Sequence, residues 1–288
     1  MGFRQEGHGS NPWAWAPTTH PAVAVHCAFR RDPRPDTPYP SFPMAILVFE
    51  HVPAEPTYRL GQTLLAQNHE LRIVRHYAGD RVPVDLDGVD GVISMGGPMN
   101  VDEADQHEWM PKEMDYLKTA HAVGIPIVGV CLGCQLLAAA LGGKVGPMNA
   151  KEIGWFPIKQ SFPGTIDPLY AGIPWDTVQF HVHGQEVTQL PPGATPLAGS
   201  KACKVQAFKV GLTTYGFQYH FEVDKGAIES WCRTDEWIRQ HADADAILAA
   251  VDQHYPSYRR LGDRLCNQIA TLLMPIDKPA SKRLVTAP

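Results

Sequence analysis

Residues 125–143 read IPIVGVCLGCQLLAAALGG. An apolar run ends at Val130 and a Leu- and Ala-rich run of helix formers begins at once, which puts Cys131 on a strand-to-helix turn. Gly129 and Gly133 remove side chains that would crowd so sharp a joint. The thiol is thereby expected to stand at the carboxyl edge of a sheet. A helix start carries partial positive charge, which favours thiolate over thiol. Its first N–H groups lack intrahelical partners and can receive an oxyanion. Cys134, one turn on, is expected to pack against the sheet. The pair also has the spacing of a thioredoxin-type redox motif, but the surrounding pattern is not that fold's.

Outward from this joint, AILVFE (45–50), LRIVRHY (71–77), GVISMGG (91–97) and IPIVGV (125–130) are short apolar runs. TYRLGQTLLAQN (57–68) and HEWMPKEMDYLKTAHAVG (107–124) are helical segments between them. This alternation predicts βαβ units and a parallel sheet buried on both faces, with working groups at the carboxyl ends of the strands. Beyond residue 143 the runs EIGWFPIKQ (152–160), DTVQFHVHG (176–184), KVQAFKV (204–210) and TTYGFQYHF (213–221) predict a smaller antiparallel sheet. From Asp224 the chain reads as helical, in AIESWCRTDEWIRQHA (227–242), ADAILAAVDQH (244–254) and RLGDRLCNQIATLLM (260–274). The expected fold class is α/β: a mostly parallel central sheet flanked by helices, a smaller antiparallel sheet and a C-terminal helical extension.

The 288 residues, 44% hydrophobic and 19% charged, have globular composition. A formal charge of −5 provides no basic field, so neither nucleic acid nor a membrane is an expected partner. No apolar run approaches the roughly 18 residues that span a bilayer. The start MGFRQEGHGS lacks a signal peptide's apolar core, so a cytoplasmic location is expected. Six scattered cysteines are expected to be reduced thiols. Residues 1–43 hold eight of the 26 prolines and predict a disordered tail, with Met44 a candidate true start. The domain proper is expected over 44–223 and the helical extension over 224–288.

A thiolate nucleophile needs a base and an orienter. In YGFQYHFEV (215–223), His220 and Glu222 stand two apart at the end of a predicted strand, a spacing that lets the carboxylate fix the imidazole tautomer. GVISMGGPMN (91–100) ends a strand in Gly96-Gly97-Pro98, where amides are bare of side chains. Beside the elbow, the amides of Gly97 and Leu132 would form an oxyanion hole. His181 and His183 in FHVHGQE (180–186) fit three readings: metal ligands, a pocket-lining loop, or structural histidines. With no third ligand cluster evident, neither metal nor cofactor is expected.

With these pieces in this order, residues 44–223 resemble the class I, triad-type glutamine amidotransferases, most closely the glutaminase portion of GMP synthase. The matching pieces are GVISMGGPMN, GVCLGCQLLAAALGG, KEIGWFPI and the VQAFKVG and YGFQYHFEV strands. The resemblance implies a flavodoxin-like fold and a stand-alone amidohydrolase. Cys131 would attack the glutamine side-chain amide, His220 would protonate the departing ammonia, and Glu222 would hold His220. Gly97 and Leu132 would receive the oxyanion, and Gln135 would help hold the substrate. Family members usually have Pro between the His and Glu, where this chain has Phe221. No acceptor-side domain is recognisable, which implies a separate ammonia-accepting synthetase. Two alternatives stay open: hydrolysis of another γ-glutamyl amide or peptide, and a non-catalytic scaffold on the same fold. Relatives cleaving γ-glutamyl amines often have Arg after the nucleophile, where this chain has Leu132.

Overall fold

A computed structural model describes residues 45–276; the Pro-rich tail 1–43, Met44 and residues 277–288 lie outside the described residues. The first half alternates as the sequence predicts: β1 (Ala45–Glu50), α1 (Tyr58–Ala66), β2 (Glu70–Arg75), β3 (Val89–Ser94), α2 (Trp109–Ala122), β4 (Ile127–Val130) and α3 (Leu132–Ala140). Then come β5 (Lys144–Gln160), a single turn α4 (Phe162–Thr165), β6 (Asp176–Gln189), β7 (Ala194–Gly199), β8 (Ala207–Val210) and β9 (Thr214–Phe217). Four α-helices follow, α5 (Lys225–Thr234), α6 (Glu236–His241), α7 (Ala244–Ala249) and α8 (Val251–Gln268), the last continued by a π-helical turn over Ile269–Leu273.

The strands form one nine-stranded sheet in the order β2-β1-β3-β4-β9-β8-β7-β5-β6. Strands β2, β1, β3, β4 and β9 pair in parallel. From β9 outward the pairs are antiparallel. The antiparallel strands therefore extend the parallel sheet through β9, which is parallel to β4 on one side and antiparallel to β8 on the other. Strand β7 was not anticipated, because Pro196 interrupts its run and a strand interior rarely tolerates proline. Here Pro196 faces Phe208 beside a register shift that absorbs it.

Alternation along the central strands sends side chains to two cores. Ile46, Val48, Ile93, Val128 and Val130 face α1 and α8, where Leu60, Leu64, Leu261 and Leu265 cover them. Leu47, Phe49, Val92 and Ile127 face α2 and α3, against Met110, Leu117, Leu136 and Leu137. A third cluster joins Ile153 and Phe180 of the antiparallel strands to Trp231, Ile238, Ile247 and Tyr258 of the C-terminal helices. The predicted helix 227–242 is broken at Asp235, whose carboxylate accepts the Ile238 amide at 2.9 Å and so caps a new helix. Among the described residues no helix is long and apolar enough to cross a membrane.

Candidate active site

Cys131 lies between β4 and α3 with φ +51° and ψ −108°, a conformation that costs a residue bearing a Cβ about 1–3 kcal/mol. Hydrogen bonds around it hold that backbone in place. Cys131 N donates to Phe217 O at 2.8 Å, Gly133 N to Met95 O at 3.0 Å and Gln135 N to Cys131 O at 3.2 Å. Both flanking glycines are required by contact. A Cβ on Gly129 would lie 2.5 Å from Gly133 O, and one on Gly133 would lie 2.0 Å from Ser94 O. Gly133→Ala is therefore expected to push α3 off β3 and lower stability by about 3 kcal/mol, read as a lower urea midpoint; an unchanged midpoint would show that the joint has room.

The five cysteines among the described residues are all free thiols. Cys134 is fully buried against Gly216 of β9, and burial holds its thiol well above the ordinary pKa. It packs, and nothing joins it to Cys131.

Beyond β9 the chain leaves regular structure, and His220 N donates to Phe180 O on β6 at 2.9 Å. His220 Nδ1 donates to Glu222 Oε1 at 2.8 Å. Burial pulls the His220 pKa down, but the Glu222 charge and the Cys131 sulfur outweigh it and raise it well above the ordinary value. Phe221 has a backbone N–H where proline would have none, and that N–H donates to Glu222 Oε2 at 2.8 Å. Both oxygens of Glu222 are thus engaged. Trp231 packs edge-on against His220 at 5.3 Å between ring centroids and donates its indole N–H to Ala54 O at 3.1 Å.

Three further side chains around the pair were not singled out from the sequence. Arg59 of α1 donates to Phe221 O, to Arg259 O at 3.0 Å and to Asp263. Gln218 donates to Cys131 Sγ at 3.9 Å. Glu55 has a buried carboxylate oxygen with no partner among the described residues. A Cβ on Gly96 would meet that oxygen at 2.0 Å and His220 Cε1 at 3.2 Å, so the carboxylate lies beside the imidazole. Burial raises the Glu55 pKa, opposed by the His220 charge. The only local signal for Arg59 is a cation on the buried face of α1.

Gly96 and Gly97 follow β3 at its carboxyl end. A Cβ on Gly97 would lie 3.0 Å from Leu132 Cδ2, which puts the glycine pair against the first residue of α3. Gln135 points inward, its amide NH2 donating to Gln185 O at 3.2 Å and Gln218 Oε1 at 3.1 Å. Cys131 Sγ has Val182 O as a neighbour at 3.7 Å. One carboxyl edge therefore brings together the six residues the sequence singled out: Cys131, His220, Glu222, Gly97, Leu132 and Gln135.

His181 and His183 do acquire a third group, Glu152, their neighbour on β5. Its Oε2 lies 3.7 Å from His181 Nδ1 and 3.3 Å from His183 Nε2. The same carboxylate accepts Ser200 Oγ at 2.6 Å and Gln206 Nε2 at 2.5 Å, and all three members of the cluster are buried. Burial, with the neighbouring His183, pulls His181 well below the ordinary imidazole range, so it is neutral. The cluster braces β5 against β6 behind Val182, and its hydrogen bonds account for the carboxylate.

The model of the family described as glutamine amidotransferase class-I matches residues 54–233. The glutamine amidotransferase-like protein YfeJ of Salmonella typhimurium is 30% identical over 66% of this chain and 81% of its own length. A glutamine-hydrolyzing GMP synthase subunit of Natronomonas pharaonis is 33% identical over 50% of this chain and 71% of its own length. The crystal structure of a glutamine amidotransferase from Methylobacillus flagellatus superposes with a TM-score of 0.71 at 26% identity, covering 78% of this chain and 93% of that one. The chain belongs to the class-I glutamine amidotransferases.

Proposed function

We propose that the chain hydrolyses the side-chain amide of glutamine through a Cys131 thioester and releases ammonia to a separate synthetase. The observation that carries this reading is a cysteine at φ +51° on a strand-to-helix joint, at the same edge as an imidazole whose Nδ1 is 2.8 Å from a carboxylate. The Cys131 sulfur attacks the amide carbon, and its proton passes to His220. The amides of Gly97 and Leu132 hold the oxyanion. As the C–N bond breaks, His220 returns the proton to the leaving ammonia. Water then attacks the thioester, His220 takes a proton from it, and glutamate leaves with the thiol restored. Glu222 keeps Nδ1 protonated, so that Nε2 is the nitrogen that accepts and donates. Gln135, its NH2 engaged by Gln185 O and Gln218 Oε1, is left with its Oε1 to help hold the substrate. The Natronomonas relative is one subunit of its synthase, which supports an acceptor on another chain.

The test is a substrate panel followed by intact-mass measurement on the quenched enzyme. Glutamine should yield equimolar glutamate and ammonia, with a transient adduct on Cys131. Turnover of γ-glutamyl amines with none of glutamine would replace glutamine by another γ-glutamyl amide, and no turnover of either would favour a scaffold.

A further inference from the structure

A second buried network lies on the far side of the glycine pair. Glu113 of α2 is fully buried; its Oε1 accepts Ser94 Oγ at 2.6 Å, and its Oε2 accepts His51 Nε2 at 3.0 Å and His76 Nε2 at 2.9 Å. His51 Nδ1 lies 3.0 Å from Gly96 O. A carbonyl only accepts, so Nδ1 carries a proton; Nε2, facing a carboxylate, carries another. His51 is therefore an imidazolium with one N–H on Glu113 and the other on the oxyanion loop. Burial lowers its pKa, but the Glu113 charge and hydrogen bond and the Gly96 carbonyl more than offset this. Burial likewise raises Glu113, and the charges and hydrogen bonds of the two imidazoles overcome it and bring it down to about 2. Trp109 stacks on both rings, 4.8 Å from His51 and 4.5 Å from His76 between centroids.

On the loop itself, Met95 N donates to Phe49 O, and Met95 O accepts from Gly133 N. Gly96 O accepts from His51, and the next donor in line, Gly97 N–H, has no hydrogen-bond partner among the described residues. A trans peptide points its C=O and N–H in opposite directions. Holding Gly96 O on His51 thus turns the Gly97 N–H away from His51. Two successive glycines have no Cβ to resist rotation of that peptide, so the restraint has to come from outside the loop. A cationic donor on the carbonyl also polarises the peptide and strengthens its N–H as a donor.

We propose that His51, held by Glu113, is the positioning residue that fixes the Gly96–Gly97 peptide with its N–H available to the oxyanion. The inference deepens the hydrolytic reading above and rests on it for its catalytic consequence. The pinned peptide itself can be read without substrate. Gly96-Gly97 and Gly142-Gly143 are the only Gly-Gly pairs in the chain, so labelling glycine with carbonyl 13C and amide 15N isolates the Gly97 and Gly143 amides in a carbonyl-filtered spectrum.

Wild type should give one sharp Gly97 signal, and His51→Leu a split or exchange-broadened one with Gly143 unchanged. His51→Asn, which keeps a donor near the Nδ1 position, should restore a single signal. In the glutaminase assay His51→Leu should lower kcat about 10- to 100-fold, with KM within about 3-fold. Alkylation of Cys131 by iodoacetamide, which forms no oxyanion, should stay within about 2-fold of wild type. Glu113→Gln, which keeps the volume, should give a smaller fall in kcat and covers the case in which His51→Leu does not fold. An unchanged Gly97 signal in folded His51→Leu, or equal losses in alkylation and turnover, would overturn the assignment. Should wild type release no glutamate, the hydrolytic reading fails, and the Gly97 signal alone decides whether His51 pins the peptide.

Discussion

Alanine at position 131 will lower glutamate release from glutamine by at least about 10⁴-fold, because no other group at the site can form the thioester. The fold should survive, since a methyl group fits wherever the buried sulfur does and Cys131 N keeps its bond to Phe217 O. The companion variant Cys131→Gly should be equally inactive yet more stable than Cys131→Ala by about 1 kcal/mol, because φ +51° suits glycine and costs alanine. Glutamate assays with urea melts on the two variants check both statements together. Activity within tenfold of wild type in Cys131→Ala would end the thioester reading. A Gly variant no more stable than the Ala variant would mean that the elbow carries no strain.

Arg59→Met should lower stability by about 3 kcal/mol and reduce kcat at least about tenfold. The guanidinium is 7% exposed and lies over the Tyr258 ring, 5.2 Å from its centroid. Its loss leaves the carbonyl of Phe221 without a donor in a site that a methionine fills but cannot satisfy. Asp263, 46% exposed, rehydrates easily and accounts for little of the cost. The kinetic effect follows because Phe221 lies between His220 and Glu222, and releasing its carbonyl loosens both. Arg59→Lys should not rescue, since one ammonium cannot serve three acceptors spread across two elements. Wild-type urea midpoints in Arg59→Met would show the clamp to be idle.

The C-terminal helices support the same segment from behind. Tyr258 of α8 donates to Val223 O at 3.2 Å, and a Cβ on Gly262 would meet Phe221 O at 2.2 Å. Helix α8 thus forms the wall behind the residues that carry the imidazole and its carboxylate. From sequence this region reads only as an amphipathic extension, because a helical period reports that one face is covered and never by what.

Residues 125–143 determine their own geometry. A run of buried β-formers, two glycines and a helix-forming tract have one compact solution, so the strand, the elbow and the helix are all legible locally. The same holds for the central parallel strands β1, β3 and β4, whose apolar runs are buried on both faces, and for the two-residue spacing of His220 and Glu222. Only the tertiary structure decided what surrounds them: β7 with its proline beside a register shift, the antiparallel strands joined to the parallel ones through β9, Glu152 beneath the two histidines, Arg59 on a carbonyl 162 residues away, and His51 on the glycine pair. Each of these depends on a partner distant in the chain, and a single buried Arg, His or Glu leaves no periodic trace. Its role comes into being only when folding brings an acceptor or a counter-charge within about 3 Å.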